Sequence, residues 1–512
     1  MFNKILLSGI GLLLPVLASA QDIYQMENFS SGQLSGTARY VGMGGAMSAL
    51  GADLSTMSSN PAAIGLYRRS DIAMSLGVVT QEDAEKFDGK NKTHLSFDQL
   101  GFVYALKLDD STCKFLNFGF NYHKQKDFNR LLSVSGSPAG NASQTWQMAD
   151  LASYWGGHDK ATPLANMGWE AYLIGADDDG NYNAYGASAL SYKHARWGSI
   201  QAYDFNISTN LSEQFYLGLT IGAMNVNYHS YSLYAENLVN SDGQAAGSYS
   251  LSDDRTITGS AFNVKLGFIA RPVKESPFRV GVSVSTPTYY NLRQRSFSRI
   301  LANYSDDNTT YDPYADIGGY DYNIHTPWTF NLSLGHTIAN CVAIGAEYEY
   351  ADYSTAKVTY DSGYDDWGWG SDETEDRELN NQSSRFLKGV STFKLGLEWM
   401  VDPKVAIRFG YNYVSSPFKT GAYPNQTINS ASIDYQTTSD YMNLSGINRY
   451  TVGLGFNFGK AYLDAACQYA HQSGTFYPFN TQNGIDTNLN EAPSFKLNLS
   501  NTQLMVTVGY RF

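Results

Sequence analysis

From Ser70 onward, apolar and polar residues alternate along the chain with a period of two. Ile72, Met74, Leu76 and Val78 are separated by Ala73, Ser75 and Gly77. Phe215, Leu217, Leu219 and Ile221 are separated by Tyr216, Gly218 and Thr220, and Val452, Leu454, Phe456 and Phe458 by Gly453, Gly455 and Asn457. Successive side chains of a strand point to opposite faces, so each run carries one greasy and one mostly small or polar face. Such runs predict about fourteen strands. They fall at 70–79, 96–108, 115–126, 199–209, 214–229, 256–271, 277–290, 322–338, 341–356, 388–400, 404–415, 449–459, 461–472 and 495–512.

The connections alternate between short and long. Short ones fall at 109–114, 210–213, 272–276, 339–340, 401–403 and 459–460. Long ones fall at 80–95, 127–198, 230–255, 291–321, 357–387, 416–448 and 473–494. Short turns at one end and long loops at the other are the organisation of a membrane barrel, whose greasy face meets lipid and whose polar face lines the lumen. The expected fold is therefore all-β, a transmembrane antiparallel β-barrel. On the last run Leu504, Val506, Val508, Tyr510 and Phe512 share a face. A terminal aromatic on such a strand resembles the signal by which the barrel assembly machinery recognises its clients.

Two segments precede the strands. Lys4, the apolar run 5–17 and Ala18-Ser19-Ala20 read as a signal peptide over 1–20. Residues 36–69 are rich in Gly, Ala and Met and lack the alternation, as expected of a plug packed inside the barrel. The expected division is signal peptide 1–20, hatch 21–69 and barrel 70–512, with its largest external loop at 127–198. In that loop Met148, Leu151, Ala152 and Trp155 have helical spacing, and a second helix is expected over 163–173. Trp146, Met148, Leu151 and Trp155 are candidates for ligand contact; packing of a loop cap is the alternative.

Composition narrows the function. The 512 residues include 38 Tyr, 26 Phe and 47 Gly, with 16% charged, which fits a soluble helical enzyme poorly. A net charge of −13 argues against a nucleic-acid partner. Cys113 and Cys341 fall at different short turns and Cys467 on a greasy face. A bridge needs Cα atoms within ~7 Å, so no disulfide is expected.

No catalytic constellation emerges. The stretch from Gly42 through Gly44 and Gly45 lacks the third glycine and the preceding strand of a dinucleotide loop. No histidine pair has metal-ligand spacing, and the acidic run 364–376 does not match an EF-hand and reads as a solvated loop tip. The reading is a non-enzyme without metal or cofactor. Lys265, Glu347, Glu349, Lys394, Glu398 and Arg408 fall on lumenal faces, where confined charges must be paired or hydrated. They are candidates to clamp the plug or to line a path.

Ser59-Asn60-Pro61-Ala62, placed after a glycine-rich segment and just before the first strand, resembles the FadL/TodX family of outer-membrane transporters. Residues 38–46 and 60–67 most resemble Bacteroidetes members, some of which are labelled haemin receptors. The Thr-Pro pairs at Thr286 and Thr326 are further echoes. The resemblance implies a fourteen-stranded barrel with an N-terminal hatch in its lumen. It implies external loops that form a greasy capture site, and exit through a gap at a kinked strand without direct energy coupling. Gly42, Gly44, Gly45, Asn60, Pro61 and Ala62 are then the hatch and gating residues, and Asn117, Gly119 and Asn121 mark the third strand as the expected interrupted one. The function implied is passive transport of hydrophobic compounds such as long-chain fatty acids across the Gram-negative outer membrane. The alternative is a haem or haemin receptor, which would gather His or Tyr at the external mouth. Expected partners are a hydrophobic small molecule, outer-membrane lipid, lipopolysaccharide and the assembly machinery, with the chain a monomer.

Overall fold

The structure is a computed structural model that describes residues 22–108, 110, 112–305, 309–364, 371–480 and 491–512. The expected signal peptide at 1–20 and the tip of the acidic run at 365–370 lie outside the described residues. Fourteen antiparallel strands close a barrel. The first six are β1 Asp71–Gln81, β2 Thr93–Lys107, β3 Cys113–Asp127, β4 Gly186–Leu211, β5 Phe215–Val239 and β6 Ala245–Ala270. Next come β7 Arg279–Ser285, continued by Tyr289–Tyr304, and β8 Tyr314–His325, continued by Thr329–Ile338. The rest are β9 Val342–Asp352, β10 Gly389–Asp402, β11 Val405–Val414, β12 Tyr441–Phe458, β13 Ala461–Tyr477 and β14 Asn501–Arg511. Each pairs with the next, and Asp71↔Arg511 to Gln81↔Asn501 closes β14 on β1.

The alternation turns the usual protein inside out. Leu76 is 49% exposed and Val508 54%, while Ser75 and Thr507 between such positions are 0% exposed. Apolar side chains form the outer surface and polar ones the interior, the arrangement a barrel needs when lipid is its solvent. Aromatic ladders cross the outer face, such as Phe102, Phe120 and Phe205 on β2, β3 and β4.

Several strands are longer than the alternation indicates. The wall of β3 resumes at Arg130–Gly136, and β4 begins at Gly186, so the expected loop 127–198 shrinks to 137–185. The expected loop at 230–255 is mostly strand as well, since β5 and β6 run to Val239 and from Ala245. Beyond the greasy belt both faces of a strand can meet polar surroundings, so the period-two signal fades where the strand does not. The break expected at Asn117, Gly119 and Asn121 is absent: all three pair with β2 on one side and β4 on the other. The interruptions fall elsewhere. β7 and β8 break side by side at Thr286-Pro287-Thr288 and Thr326-Pro327-Trp328, because proline has no N–H to give the ladder. The Thr288 N–H donates to Thr326 Oγ1 at 2.8 Å and the Thr326 N–H to the Thr288 carbonyl at 3.1 Å, which bridges the two breaks.

Among the described residues five α-helices accompany the barrel: α1 Ile23–Ser30, α2 Ala38–Gly42, α3 Gln144–Trp155, α4 Pro163–Glu170 and α5 Arg377–Phe386. Helices α3 and α4 are the two expected in the long loop. Their termini are capped by Ser143 and Thr162, whose side chains accept backbone N–H groups of the first turn. They cover the loop end of the barrel in a cluster with Tyr192, Tyr234, Tyr249 and Phe476.

Candidate functional site: a plugged lumen with a lateral seam

Residues 36–69 fill the turn end of the lumen, and both partners are built from small residues. Gly335, Gly345, Gly396 and Gly410 lie on one continuous rung across β8 to β11. The hatch backbone from Met43 to Leu50 lies on that rung. A Cβ on Gly345 would overlap the Ala46 carbonyl, one on Gly396 the Met43 carbonyl and one on Gly410 the Gly44 nitrogen. Gly44 itself turns at φ +62, which L side chains rarely adopt, with β-strand backbone against its α-carbon. Gly45 also has positive φ, and Gly42 sits against Gly453. Asn60 is fully buried and caps the 3-10 turn Pro61–Leu66, its Oδ1 accepting the Ala62 N–H at 3.1 Å. Pro61 and Ala62 lie against Gly218 and Gly267 of β5 and β6.

Charges lock this contact. Arg39 of α2 makes a two-pronged ion pair with Glu398 at 2.9 and 2.8 Å, and Arg408 joins Glu398 at 2.6 Å and Asp464 at 2.5 Å. Glu347 accepts the Ser48 N–H at 2.6 Å, while Lys394 lies 3.5 Å from Glu347 and 3.1 Å from Glu349. Lys265 sits 3.7 Å from Asp204. Thus two of the six lumenal candidates, Glu347 and Glu398, hold the hatch directly. Arg408, Lys394 and Glu349 stand behind them, and Lys265 belongs to a separate polar group on the wall.

Above the hatch lies a cavity of about 330 Å³. None of the six lumenal candidates lines it, and neither do the four loop candidates. Met148 and Leu151 are 0% exposed in the α3–α4 cluster, Trp155 donates to the Gln426 carbonyl at 3.3 Å and Trp146 points outward. Those side chains form the cap and do not reach the cavity. The lining comes from α1, the segment after it and the upper parts of the strands, with charged groups at Lys126, Arg130, Arg196 and Arg255 and apolar ones at Ile257, Leu444 and Phe476. Sequence reading missed Arg130, Arg196, Arg255, Leu444 and Phe476 because they lie beyond the alternating stretches, while Lys126 and Ile257 lie at the very ends of theirs.

The cavity also reaches the barrel wall. Pairing of β2 with β3 ends at Gln99↔His123, although β2 continues up to Thr93 and β3 to Asp127. Side chains bridge this seam in place of the backbone ladder. His94 Nε2 is 3.0 Å from Asp127 Oδ2, and Lys124 Nζ donates to Ser96 Oγ at 2.7 Å and Asp127 Oδ2 at 3.1 Å. Above it, the Gln81 side chain donates to the Leu131 carbonyl at 2.7 Å and accepts the Leu131 N–H at 2.9 Å. The bare edge of β3 is satisfied from inside by the segment after α1. Gln33 exchanges side-chain bonds with the Asp127 backbone, both at 3.0 Å, and Ser35 Oγ donates to the Lys124 carbonyl at 2.5 Å. His94, Ser96, Lys124, Asp127, Gln33 and Ser35 all line the cavity.

Three histidines of the loop half have separate partners, His158 stacked on Trp169, His229 on Trp197 and His94 held by Asp127, while His194 lines the cavity edge-on to Tyr192. Among the described residues no group of three or more His, Cys, Asp or Glu is placed to hold a metal ion. The three cysteines are free thiols.

A closed fourteen-stranded barrel with greasy outer face and internal hatch defines a class of membrane-embedded proteins. No family model matches the sequence, and neither does any curated protein. Solved structures do match. A FadL homologue of Pseudomonas aeruginosa is similar with a TM-score of 0.52 and 11% identity, over 94% of this chain and 100% of that one. A mutant of TodX, the P. putida toluene transporter, described as a monoaromatic hydrocarbon channel, is similar with a TM-score of 0.50 and 12% identity, over 94% and 100%. At these identities the likeness is one of fold: the chain has the FadL-type hatch-barrel architecture.

Proposed function

We propose that this chain is a passive outer-membrane channel for hydrophobic compounds, long-chain fatty acids among them. In this reading the chain is exported by a cleavable signal peptide. Ligand enters from the loop end and occupies the cavity above the hatch. It leaves sideways into the membrane between β2 and β3. The observation that carries the reading is the seam: the cavity reaches the one stretch of these two strands where side chains replace the ladder, beside a greasy outer surface. The fold shared with a FadL homologue and with the hydrocarbon channel TodX supports it. So does the hatch, whose tight seating on the glycine rung obstructs a straight path to the turn end. Gating would consist of releasing Gln33 and Ser35 from the β3 edge, which needs a few hydrogen bonds broken rather than the whole plug expelled.

The test is a reversible staple across the seam. In a background with Cys113, Cys341 and Cys467 replaced by serine, His94→Cys and Asp127→Cys are cross-linked and uptake of a labelled long-chain fatty acid into cells is measured. Stapling is expected to stop uptake and reduction to restore it. Unchanged uptake with a closed staple overturns the lateral route.

A further inference from the structure

The outer wall of the barrel carries a groove of about 840 Å³ that runs across the strands from β3 to β9. Its sides are two hydrogen-bonded rungs of outward side chains. On the turn side Leu217, Phe268, Val282 and Leu332 stand in register on β5 to β8, and on the loop side Leu219, Leu266, Val284 and Phe330. Its floor is the rung between them, Gly218, Gly267, Ser283 and Asn331, which belongs to the inner face. The same floor seats the hatch. A Cβ on Gly218 would overlap the Pro61 carbonyl and one on Gly267 would overlap Asn60 Oδ1, while Ser283 Oγ donates to the Ser59 carbonyl at 2.6 Å. One thickness of sheet therefore separates the groove from Ser59-Asn60-Pro61-Ala62. The Thr-Pro breaks of β7 and β8 lie beside its loop-side lip, next to Val284 and Phe330.

The dimensions of the groove select its occupant. Rows two residues apart on a strand are separated by about 6.7 Å, and the steps from β3 to β9 span about 29 Å. A helix, about 10 Å across, does not enter such a slot, whereas an extended alkyl chain does. The sides are apolar and face the lipid belt, where an unfilled gap forfeits dispersion contacts. Phe215 stacks on Phe268 and continues the greasy surface towards the turn. There Arg271 follows Phe268 by about 10 Å of strand, with exposed Lys274 beyond it and Glu275 as the neighbouring carboxylate. That is the level of lipid phosphates. With the long loops outside, the leaflet concerned is the periplasmic one. We propose that the groove binds one acyl chain of a glycerophospholipid of that leaflet, its phosphate at Arg271 and Lys274, and that the bound chain buttresses the wall on which hatch residues 59–62 are seated. The site goes beyond the channel reading and holds for any cargo.

The test titrates the purified full chain in a non-ionic detergent with dioleoyl phosphatidylglycerol and counts bound lipid by native mass spectrometry. Leu219→Trp/Val282→Trp fills the groove. Val452→Trp/Val506→Trp places the same bulk on outward positions of β12 and β14, away from it. The parent is expected to hold one lipid per chain. Affinity is expected to fall about tenfold in the groove pair, through lost burial of chain methylenes, and to stay unchanged in the control pair. Amide exchange over 59–66 is expected to slow on lipid addition in the parent and not in the groove pair. Heat-modifiable migration in gels confirms folding, and Val284→Phe alone reads the same change at smaller amplitude if the pair does not fold. Equal affinity in both pairs shows general contact with surrounding lipid and overturns the site. A dimer that forms in place of the lipid complex, and is lost in the groove pair, assigns the groove to a second copy and overturns it as well. Exchange that ignores bound lipid overturns the buttress. None of these outcomes touches the channel reading, which uptake measures.

Discussion

The Arg39 guanidinium grips Glu398 of the barrel wall through two N–H···O bonds of 2.9 and 2.8 Å, and Arg408 of the next strand shares the same carboxylate. The hatch is thereby tied to β10 by a partly buried ion pair, with Arg39 22% and Glu398 11% exposed at the side chain. Removing Arg39 leaves Glu398 paired with Arg408 but takes away its two bonds to the hatch, at a cost of about 1.5–3 kcal/mol. Arg39→Ala is expected to speed amide exchange over 38–52 while β10 stays protected. Exchange measured by mass spectrometry checks it, and uniform protection would show that the pair does not hold the hatch.

The glycine rung makes a second prediction. Gly345→Val puts a branched side chain into the Ala46 carbonyl, and overpacking of this kind costs about 1–3 kcal/mol. The strand keeps its ladder, because valine suits a β-strand. The strain therefore falls on the hatch. Purified Gly345→Val barrels in planar bilayers are expected to show larger and more frequent conductance steps than the parent.

The cap over the loop end depends on Glu236. This carboxylate is 1% exposed and accepts from Ser143 Oγ at 2.5 Å, from the Gln144 N–H at 2.9 Å and from the Tyr234 hydroxyl. It holds the start of α3 to β5. Glu236→Ala strands those donors and is expected to loosen the cap by about 2 kcal/mol. Limited proteolysis should then cut within 137–185 at protease levels that leave the parent intact.

A pH effect follows from Asp440, which lies in the loop before β12 and accepts from the Tyr192 hydroxyl at 2.8 Å. Burial pushes its carboxyl up to about 6, against the opposing pull of Tyr192 and Arg255. A folded-state value raised above that of the unfolded chain gives stability that is full below the unfolded value and is lost as pH rises through about 6. The 436–442 segment is expected to exchange more slowly at pH 5 than at pH 7.5, after correction for intrinsic rates, by on the order of 1 kcal/mol. Asp440→Asn should remove the difference.

The greasy half of the barrel was legible because lipid imposes a local rule: Leu454 and Val508 must face outward wherever their strands cross the belt. Glycine-rich composition likewise marked the segment that needs close backbone approach. The grouping of arginines around the cavity was not legible. Arg130, Arg196 and Arg255 are far apart in the chain, and only the pairing register sets them side by side. The seam was equally hidden, since β2 and β3 are each regular and only their mutual offset ends the ladder at Gln99. The Thr-Pro breaks in β7 and β8 were visible in sequence, but the expected interruption was placed instead at Gly119. That glycine serves hatch contact, with the Met57 side chain against its α-carbon.

Closure of β14 on β1 from Asp71↔Arg511 to Gln81↔Asn501 has a consequence for how the molecule is made. The hatch leads directly into β1 and lies inside the ring that this last seam completes. If the hatch is in place when the ends meet, it need not be threaded into a finished ring. The four glycines on β8 to β11 offer an open sheet a bed that fits the plug before the wall is shut behind it.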